Sequence, residues 1–247
     1  MIRAIEERSL NALPAFETLL VDGWIVRFAE GYTRRANSVN PLYPSTTPLM
    51  EKIEQCEALY TARGLKPTYK MTSAAQPPEL DSVLENCGYD READTSVQVL
   101  RLAGATFPEP HGVELVEHLT DAWFADQVRL NAVSPANAVR LRRILASIQP
   151  RTGFARVIVD GQTLACGLGV LEAGYIGFYD IVTAPERRRQ GWGEQIMRAL
   201  LAWGARNGAH TAYLQVMLNN PPALRLYQKL GFQQEYIYWY RVKSNLS

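Results

Sequence analysis

The chain has 247 residues, of which 47% are hydrophobic and 21% are charged, an ordinary globular balance. Its 26 basic and 25 acidic side chains leave a net charge of +1, which argues against a fold-wide basic surface for nucleic acid. No stretch approaches the roughly 18 apolar residues of a membrane span, and the N-terminus lacks the apolar core of a signal peptide. Three cysteines and three histidines without a C-x-x-C pair favour neither a disulfide framework nor a zinc site. We therefore expect a soluble, cytoplasmic protein without a metal or a membrane partner.

The first half of the chain is predicted to contain a hairpin followed by alternating helices and strands. The hairpin joins residues 24–29 to residues 32–39 through the turn Glu30-Gly31. The later elements are a helix over 49–62, a strand over 67–73, a helix over 78–86 and a strand over 95–102. On the second hairpin strand, Arg34, Arg35 and Asn37 are interpreted in two ways. They form either an exposed polar edge or a set of groups that binds a carboxylate or phosphate of an acceptor.

Residues 103–112 contain prolines and glycines without an apolar period, which predicts a linker. It separates a first domain, 1–103, from a second domain, 104–247. The second is predicted to contain strands and helices in this order: strand 112–119, helix 122–133, strands 154–159, 163–171 and 175–183, helix 192–208, strand 211–218, helix 223–229 and strand 236–242. Turns at Asp160-Gly161 and at 172–174 make the three central strands an antiparallel meander. The fold class is therefore α/β (α+β), a mixed, largely antiparallel sheet flanked by helices.

The two halves share an order of helix, strand, helix and strand, with similar residues at the boundaries. An Ala-Arg pair precedes a strand, a Pro-Pro pair opens a helix and a glycine ends it, at Ala62-Arg63, Pro77-Pro78 and Gly88 in the first half and at Ala205-Arg206, Pro221-Pro222 and Gly231 in the second. We interpret this as an ancient duplication that gives two tandem lobes. The alternative is that two unrelated α/β lobes share a common order of elements.

A basic, glycine-rich turn lies between the strand that ends at residue 183 and the helix predicted from Trp192. Arg188, Gly191 and Gly193 form the pattern R-x-x-G-x-G. A helix N-terminus offers unpaired N–H groups and the positive end of the helix dipole, which suit a pyrophosphate. Glycines let the backbone approach the anion closely. The pattern indicates either a phosphate site or a solvated basic turn.

A second pattern follows about thirty residues later. It is N-x-x-A-x-x-L-Y-x-x-x-G-F, formed by Asn220, Ala223, Leu226, Tyr227, Gly231 and Phe232. With both motifs at this spacing, residues 154–241 resemble the GNAT superfamily of acetyltransferases. The resemblance implies a GNAT fold and direct transfer of an acetyl group from acetyl-CoA, the co-substrate, to a primary amine of a small-molecule or peptide acceptor. The alternative is a non-catalytic acyl-CoA-binding sensor or regulatory module.

The resemblance also implies roles for individual residues. The turn and helix start would wrap the pyrophosphate with Arg188, Arg189, Gln190, Gly191, Trp192, Gly193 and Glu194. The backbone of Ile181, Val182 and Thr183 would hydrogen-bond the pantetheine arm, and Asn220 would also contact the cofactor. Tyr227 would protonate the leaving thiolate, for which a pKa of ~10 is suitable, or else it is a core aromatic residue.

The general base is less defined by the sequence. An amine with a pKa of ~10.4 must lose a proton, and Asp180 is the candidate, although it equally suits a structural partner for an arginine. Tyr179 is a candidate for shaping the acceptor pocket. In the first half, prolines occupy the equivalent of the phosphate turn and Leu84 occupies the equivalent of Tyr227. We therefore predict one acetyl-CoA per chain and a first lobe that shapes the acceptor side.

Overall fold

The computed structural model describes residues 1–102, 107–108 and 110–244. Residues 103–106 and 109 of the predicted linker lie outside the described residues. The first half contains α1 (Ile2–Ala12), β1 (Glu17–Val21), β2 (Trp24–Phe28), β3 (Val39–Asn40), α2 (Leu49–Thr61), β4 (Thr68–Thr72), α3 (Leu80–Asn86) and β5 (Tyr89–Arg101). The second half contains β6 (Val113–Val116), α4 (Asp121–Leu130), α5 (Pro135–Ala146), β7 (Arg151–Val159), β8 (Gln162–Glu172), β9 (Tyr175–Thr183), α6 (Trp192–Arg206), β10 (Thr211–Met217), α7 (Pro221–Lys229) and β11 (Gln233–Lys243). The predicted α/β class, a mixed sheet flanked by helices, is confirmed.

The chain divides into two compact units that do not follow a single cut in the sequence. The first unit contains residues 1–97 and 216–220 and the chain from Gln234 on, and the second contains 98–215 and 221–233. Strand β11 therefore belongs almost entirely to the first unit, although it is the last element of the chain. The end of β5 belongs to the second unit. The domain boundary at residues 103 and 104 and the duplication both stay predictions.

In the first unit, sheet and helices enclose an aromatic core. Strand β1 pairs with β2, β2 with β3 and β4 with β11, all antiparallel, while β3 and β4 are parallel. The apolar face of this sheet, with Trp24 and Tyr69, packs against Ile53 and Tyr60 of α2 and Leu84 of α3. These side chains are at most 1% exposed, so the unit buries the large apolar surface that stabilises an independent core.

The predicted hairpin strand over residues 32–39 is largely wrong. Only Val39 and its neighbour Asn40 are paired with β2, and Arg34–Ala36 form a short 3-10 helix. The reason is local hydrogen bonding by Asn37, whose Oδ1 accepts from the N–H groups of Ala29 at 2.7 Å and Gly31 at 2.9 Å. A side chain that satisfies backbone groups competes with strand pairing. Strand β1 and helices α1 and α5 were not predicted from the sequence.

In the second unit, four antiparallel strands from β6 to β9 are followed by β10, which is parallel to β9. The predicted meander is confirmed, with β9 at the predicted bounds. Helix α6 packs on this sheet because glycines leave room for its side chains. A Cβ on Gly153 would lie 3.1 Å from the Trp203 ring, and one on Gly169 would lie 3.2 Å from Leu200. This packing holds the middle and the last turns of α6 against the sheet.

Candidate active site

The turn before α6 reverses the chain through two residues with positive φ, Arg189 at +61° and Gly191 at +90°. Gly191 is the N-cap of α6 in the left-handed conformation, which glycine adopts at little cost. A Cβ on Gly191 would meet nothing within 4 Å, so the backbone borders open space. The backbone N–H of Gln195 donates to the Gly191 carbonyl at 3.0 Å and closes the turn that begins at this N-cap. In helix geometry, the preceding N–H groups of the first turn have no partner within the helix and suit an anion.

Gly193, in the first turn of α6, lies between the end of β9 and helix α7. A Cβ there would be 3.3 Å from Oγ1 of Thr183 and 3.6 Å from Cδ2 of Leu226. The three segments predicted to contact the cofactor or carry the acid therefore meet at this glycine. A larger side chain would push them apart, since packed elements transmit even small volume changes.

The polar side chains of the turn are placed at the surface. Arg188, Arg189 and Gln190 are exposed, and the indole N–H of Trp192 donates to Oε1 of Gln190 at 3.2 Å. The Glu194 carboxylate is engaged elsewhere, because it accepts from Arg198 at 2.8 Å and from Lys229 at 2.6 Å. The hydrogen bond from Lys229 is the main cause that lowers the pKa of Glu194. The backbone N–H of Glu194, rather than its side chain, is the group suited to an anion.

Strand β9 carries a bulge near its end. Cys166 of β8 pairs with Val182, and Leu168 pairs with Tyr179, so two residues of β9 oppose one residue of β8. Asp180, at the bulge, has a φ of +53°. The parallel pairing of β9 with β10 ends at Phe178. Val182 and Thr183 pair with β8, and the described pairing of β9 with β10 ends before them, so the edge that faces away from β8 is suited to an extended ligand.

Tyr227 lies on α7 and is 8% exposed. Its ring meets Phe232 edge to face, with centroids 6.1 Å apart. Burial raises the pKa of Tyr227 to about 12, so its hydroxyl keeps its proton at neutral pH. The residue thus packs as a core aromatic and also retains the proton that an acid requires. Asn220, which directly precedes α7, donates its backbone N–H to the Met217 carbonyl at 3.0 Å.

A family model described as "Probable histone acetyltransferase Rv0428c C-terminal" matches residues 1–241. The chain belongs to this family. Two relatives are each 28% identical: an uncharacterized N-acetyltransferase, YobR, of Bacillus subtilis strain 168, and a probable histone acetyltransferase, Rv0428c, of Mycobacterium tuberculosis strain H37Rv. The alignment covers 98% of both chains for YobR, and 94% of this chain and 70% of the other for Rv0428c.

Solved structures of GNAT proteins share the fold. A GCN5-related N-acetyltransferase from Kribbella flavida aligns with a TM-score of 0.73 at 15% identity, covering 98% of this chain and 95% of the other. A tandem GNAT protein from the clavulanic acid biosynthesis pathway aligns with a TM-score of 0.62 at 16% identity, covering 80% of this chain and 70% of the other. The predicted superfamily is confirmed, and the protein is a GNAT acyltransferase.

The structure brings most of the predicted site residues of this GNAT enzyme together. The end of β9, the turn and the first turn of α6 are continuous in the chain, and Leu226 joins α7 to them at Gly193. Asn220 is grouped with the first unit, and its contact with a cofactor stays a prediction. So do the catalytic roles of Asp180 and Tyr227.

Sequence reasoning missed two partners of the site. Tyr213 of β10 has its hydroxyl 2.9 Å from that of Tyr179, and Lys229 pairs with Glu194. The sequence held a signal for the first, since Gly177 lies two residues before Tyr179 on the same strand face. A glycine inside a strand often marks the close approach of a neighbour.

Among the residues of this GNAT chain that the structure describes, no group of three histidine, cysteine, aspartate or glutamate side chains is arranged to hold a metal ion. None of the helices in the described ranges combines the length and apolar character needed to cross a membrane.

Proposed function

We propose that the protein transfers an acetyl group from acetyl-CoA directly to a primary amine. The observation that carries this proposal is the start of α6, where Gly191 at +90° opens a helix of 15 residues beside open space. Acetyl-CoA supplies the acyl group as an activated thioester. The proposal extends the acetyltransferase character of the family to a donor and a class of acceptor.

The groups proposed to bind the cofactor are backbone groups supported by nearby cations. The N–H groups of Trp192, Gly193 and Glu194 would hold the pyrophosphate, and the exposed Arg188 and Arg189 would add positive charge. The second unit contains more basic than acidic side chains, whereas the first contains more acidic than basic ones. This division supports binding of an anionic cofactor by the second unit.

The end of β9 is proposed to align the rest of the cofactor. Ile181 is the second residue of the bulge, and Val182 and Thr183 follow it. The edge beyond the β10 pairing is suited to an extended pantetheine arm. Backbone hydrogen bonds of this kind add a ligand to a strand edge in the way that peptides do.

The proton balance of the reaction requires one group that accepts a proton and one that donates a proton. The amine nitrogen forms a bond to the acetyl carbon while the carbon–sulfur bond breaks, so one proton must leave nitrogen and one must reach sulfur. Asp180 would accept the proton of the amine. Tyr227 would donate to the thiolate, since its raised pKa keeps it protonated until the reaction. Transfer is direct, without a covalent intermediate on the enzyme.

Release of CoA from acetyl-CoA tests the proposal. Small primary amines and short basic peptides form the two arms of the acceptor panel, because one relative is named a probable histone acetyltransferase. We expect CoA release that depends on an amine and that yields one acetylated product per CoA. Tight binding of acetyl-CoA by calorimetry without release for any amine would contradict the proposal. We expect a stoichiometry of one acetyl-CoA per chain.

A further inference from the structure

Two tyrosines form a buried pair across β9 and β10. Tyr179 is 4% exposed and Tyr213 is 1% exposed. Their hydroxyl oxygens are 2.9 Å apart, which is hydrogen-bond distance. The rings meet edge to face, with centroids 6.4 Å apart and planes at 84°. Each hydroxyl therefore restrains the other.

A glycine provides the space for this pair. Gly177 is paired with Tyr213 in the parallel register of β9 and β10. A Cβ on Gly177 would lie 2.5 Å from Cζ of Tyr213 and 2.8 Å from Cε2 of Tyr179. Protein interiors do not accommodate such approaches without a shift. The two rings consequently lie directly against the backbone of residue 177, which fixes them relative to the strand.

The pair stands where β9 leaves β10 and begins to bulge. Pairing with β10 ends at Phe178, Tyr179 is the next residue, and Asp180 follows with a φ of +53°. A residue with a Cβ is disfavoured in this left-handed region and persists there only when its surroundings hold it. Pairing with β8 resumes beyond the bulge at Val182. Val182 therefore fixes the end of the bulge through its pairing with β8, and Tyr179 fixes the start of the bulge.

We propose that the hydrogen bond between Tyr179 and Tyr213 locks the bulge of β9, and that Tyr213 is a positioning residue for acetyl transfer. Tyr213 acts through Tyr179 on Asp180, the next residue. When the Tyr179 side chain is held in place, the backbone that continues into Asp180 keeps its direction. The backbone groups of residues 181–183 are fixed in the same way. The inference rests on the proposed function, in which Asp180 is the base and these backbone groups bind the cofactor.

Amide hydrogen exchange of residues 176–184 in the cofactor-free protein tests the lock without any activity. The variants Tyr213→Phe and Tyr179→Phe keep the rings and remove one hydroxyl each. We expect exchange to become about 3- to 10-fold faster in both, as expected for loss of one hydrogen bond. The double variant should exchange no faster than either single one, since all three lack the same bond. Unchanged exchange in Tyr213→Phe, or additive effects in the double variant, would overturn the lock.

Steady-state kinetics then test the positioning role. The control for loss of a tyrosine hydroxyl is Tyr43→Phe in the first unit, where Tyr43 donates to Glu7, and its exchange over residues 176–184 and its kcat should equal those of the wild type. In Tyr213→Phe we expect kcat at saturating acetyl-CoA to fall about 3- to 10-fold. Unchanged kcat in a variant with faster exchange would overturn the role in catalysis. A wild-type protein that acetylates no amine, with exchange as expected, would overturn the proposed function while the lock stands.

Discussion

The ammonium of Lys229 lies 2.6 Å from the carboxylate of Glu194, and this ion pair joins the last turn of α7 to the first turn of α6. Arg198 holds the same carboxylate at 2.8 Å. A negative charge in the first turn of a helix competes with an anion bound at that N-terminus. The two cations therefore neutralise the acidic side chain in the first turn of α6, and Lys229 connects that turn to the helix that carries Tyr227.

Removal of the Lys229 charge is expected to weaken acetyl-CoA binding moderately. In Lys229→Met the carboxylate of Glu194 keeps only Arg198, so its repulsion of the cofactor increases. Ion pairs with exposed partners contribute little free energy. We therefore expect the Kd for acetyl-CoA, measured by calorimetry, to rise only about 2- to 5-fold. Lys66→Met, which removes an exposed lysine of the first unit, is the control and should bind as the wild type does. Glu194→Gln should bind at least as tightly as the wild type, and weaker binding would contradict this account.

Substitution of Gly191 by valine is expected to weaken acetyl-CoA binding tenfold or more, about 1.4 kcal/mol. The side chain would occupy the space next to the helix N-terminus and would strain a φ of +90°. Gly208 provides a matched control, because it has a φ of +87° and its Cβ would also meet nothing within 4 Å. Both variants should lose similar stability in thermal unfolding. Only Gly191→Val should lose affinity, and equal affinities in the two variants would place the phosphates elsewhere.

Loss of the Tyr227 hydroxyl is expected to slow turnover without affecting cofactor binding. We expect kcat of Tyr227→Phe to fall roughly 10²-fold, the lower range for general acid catalysis, while the Kd for acetyl-CoA is unchanged. A retained kcat would leave Tyr227 with a packing role alone. Tyr43→Phe, in the first unit, is the control for loss of a tyrosine hydroxyl.

The pH dependence of stability should carry a signature of Tyr227. Its pKa is raised to about 12 in the folded protein, above the ordinary value of 10.0. The protonated form is favoured by folding, so its contribution is complete below pH 10 and is lost as the pH rises from 10 through 12. The wild type should therefore lose more free energy of unfolding over this interval than Tyr227→Phe does. If the free energy of unfolding, measured with urea, fell equally with pH in both proteins between pH 10 and 12, burial would not raise the pKa of Tyr227.

Asn37 is expected to matter for stability and not for catalysis. It is 7% exposed, and it also donates to the Thr33 carbonyl at 2.8 Å. Asn37→Ala leaves the N–H groups of Ala29 and Gly31 without their acceptor, which should cost about 1–3 kcal/mol in urea unfolding. Asn37→Asp retains the acceptor and should lose less. A selective rise in the acceptor KM, at unchanged stability, would instead support the interpretation of this segment as part of an acceptor-binding site.

The local pattern of the sequence was sufficient to predict the turn and the helix start of the proposed cofactor site. Positive φ at Gly191 and the start of α6 follow from residues within a few positions of each other. The bulge at Asp180 could not be predicted in this way, because it depends on how β8 and β10 pair with β9. The error at residues 34–36 has a similar origin. The Glu30-Gly31 turn after residues 24–29 favoured a second hairpin strand, and the hydrogen bonds of Asn37 favoured a turn.

Strand β11 is made after every other element but belongs almost entirely to the first unit, and this determines when that unit is able to fold during synthesis. Residues Tyr238 to Val242 pair with β4, and Arg241 binds the carboxylate of Asp81 in α3 at 2.9 Å. A ribosome that has released the first 103 residues has not yet made this strand. One edge of β4 therefore stays unpaired, and the first unit stays incomplete, until β11 has emerged from the ribosome. Early termination of translation would thus leave an open strand edge prone to aggregation, and not a finished N-terminal half.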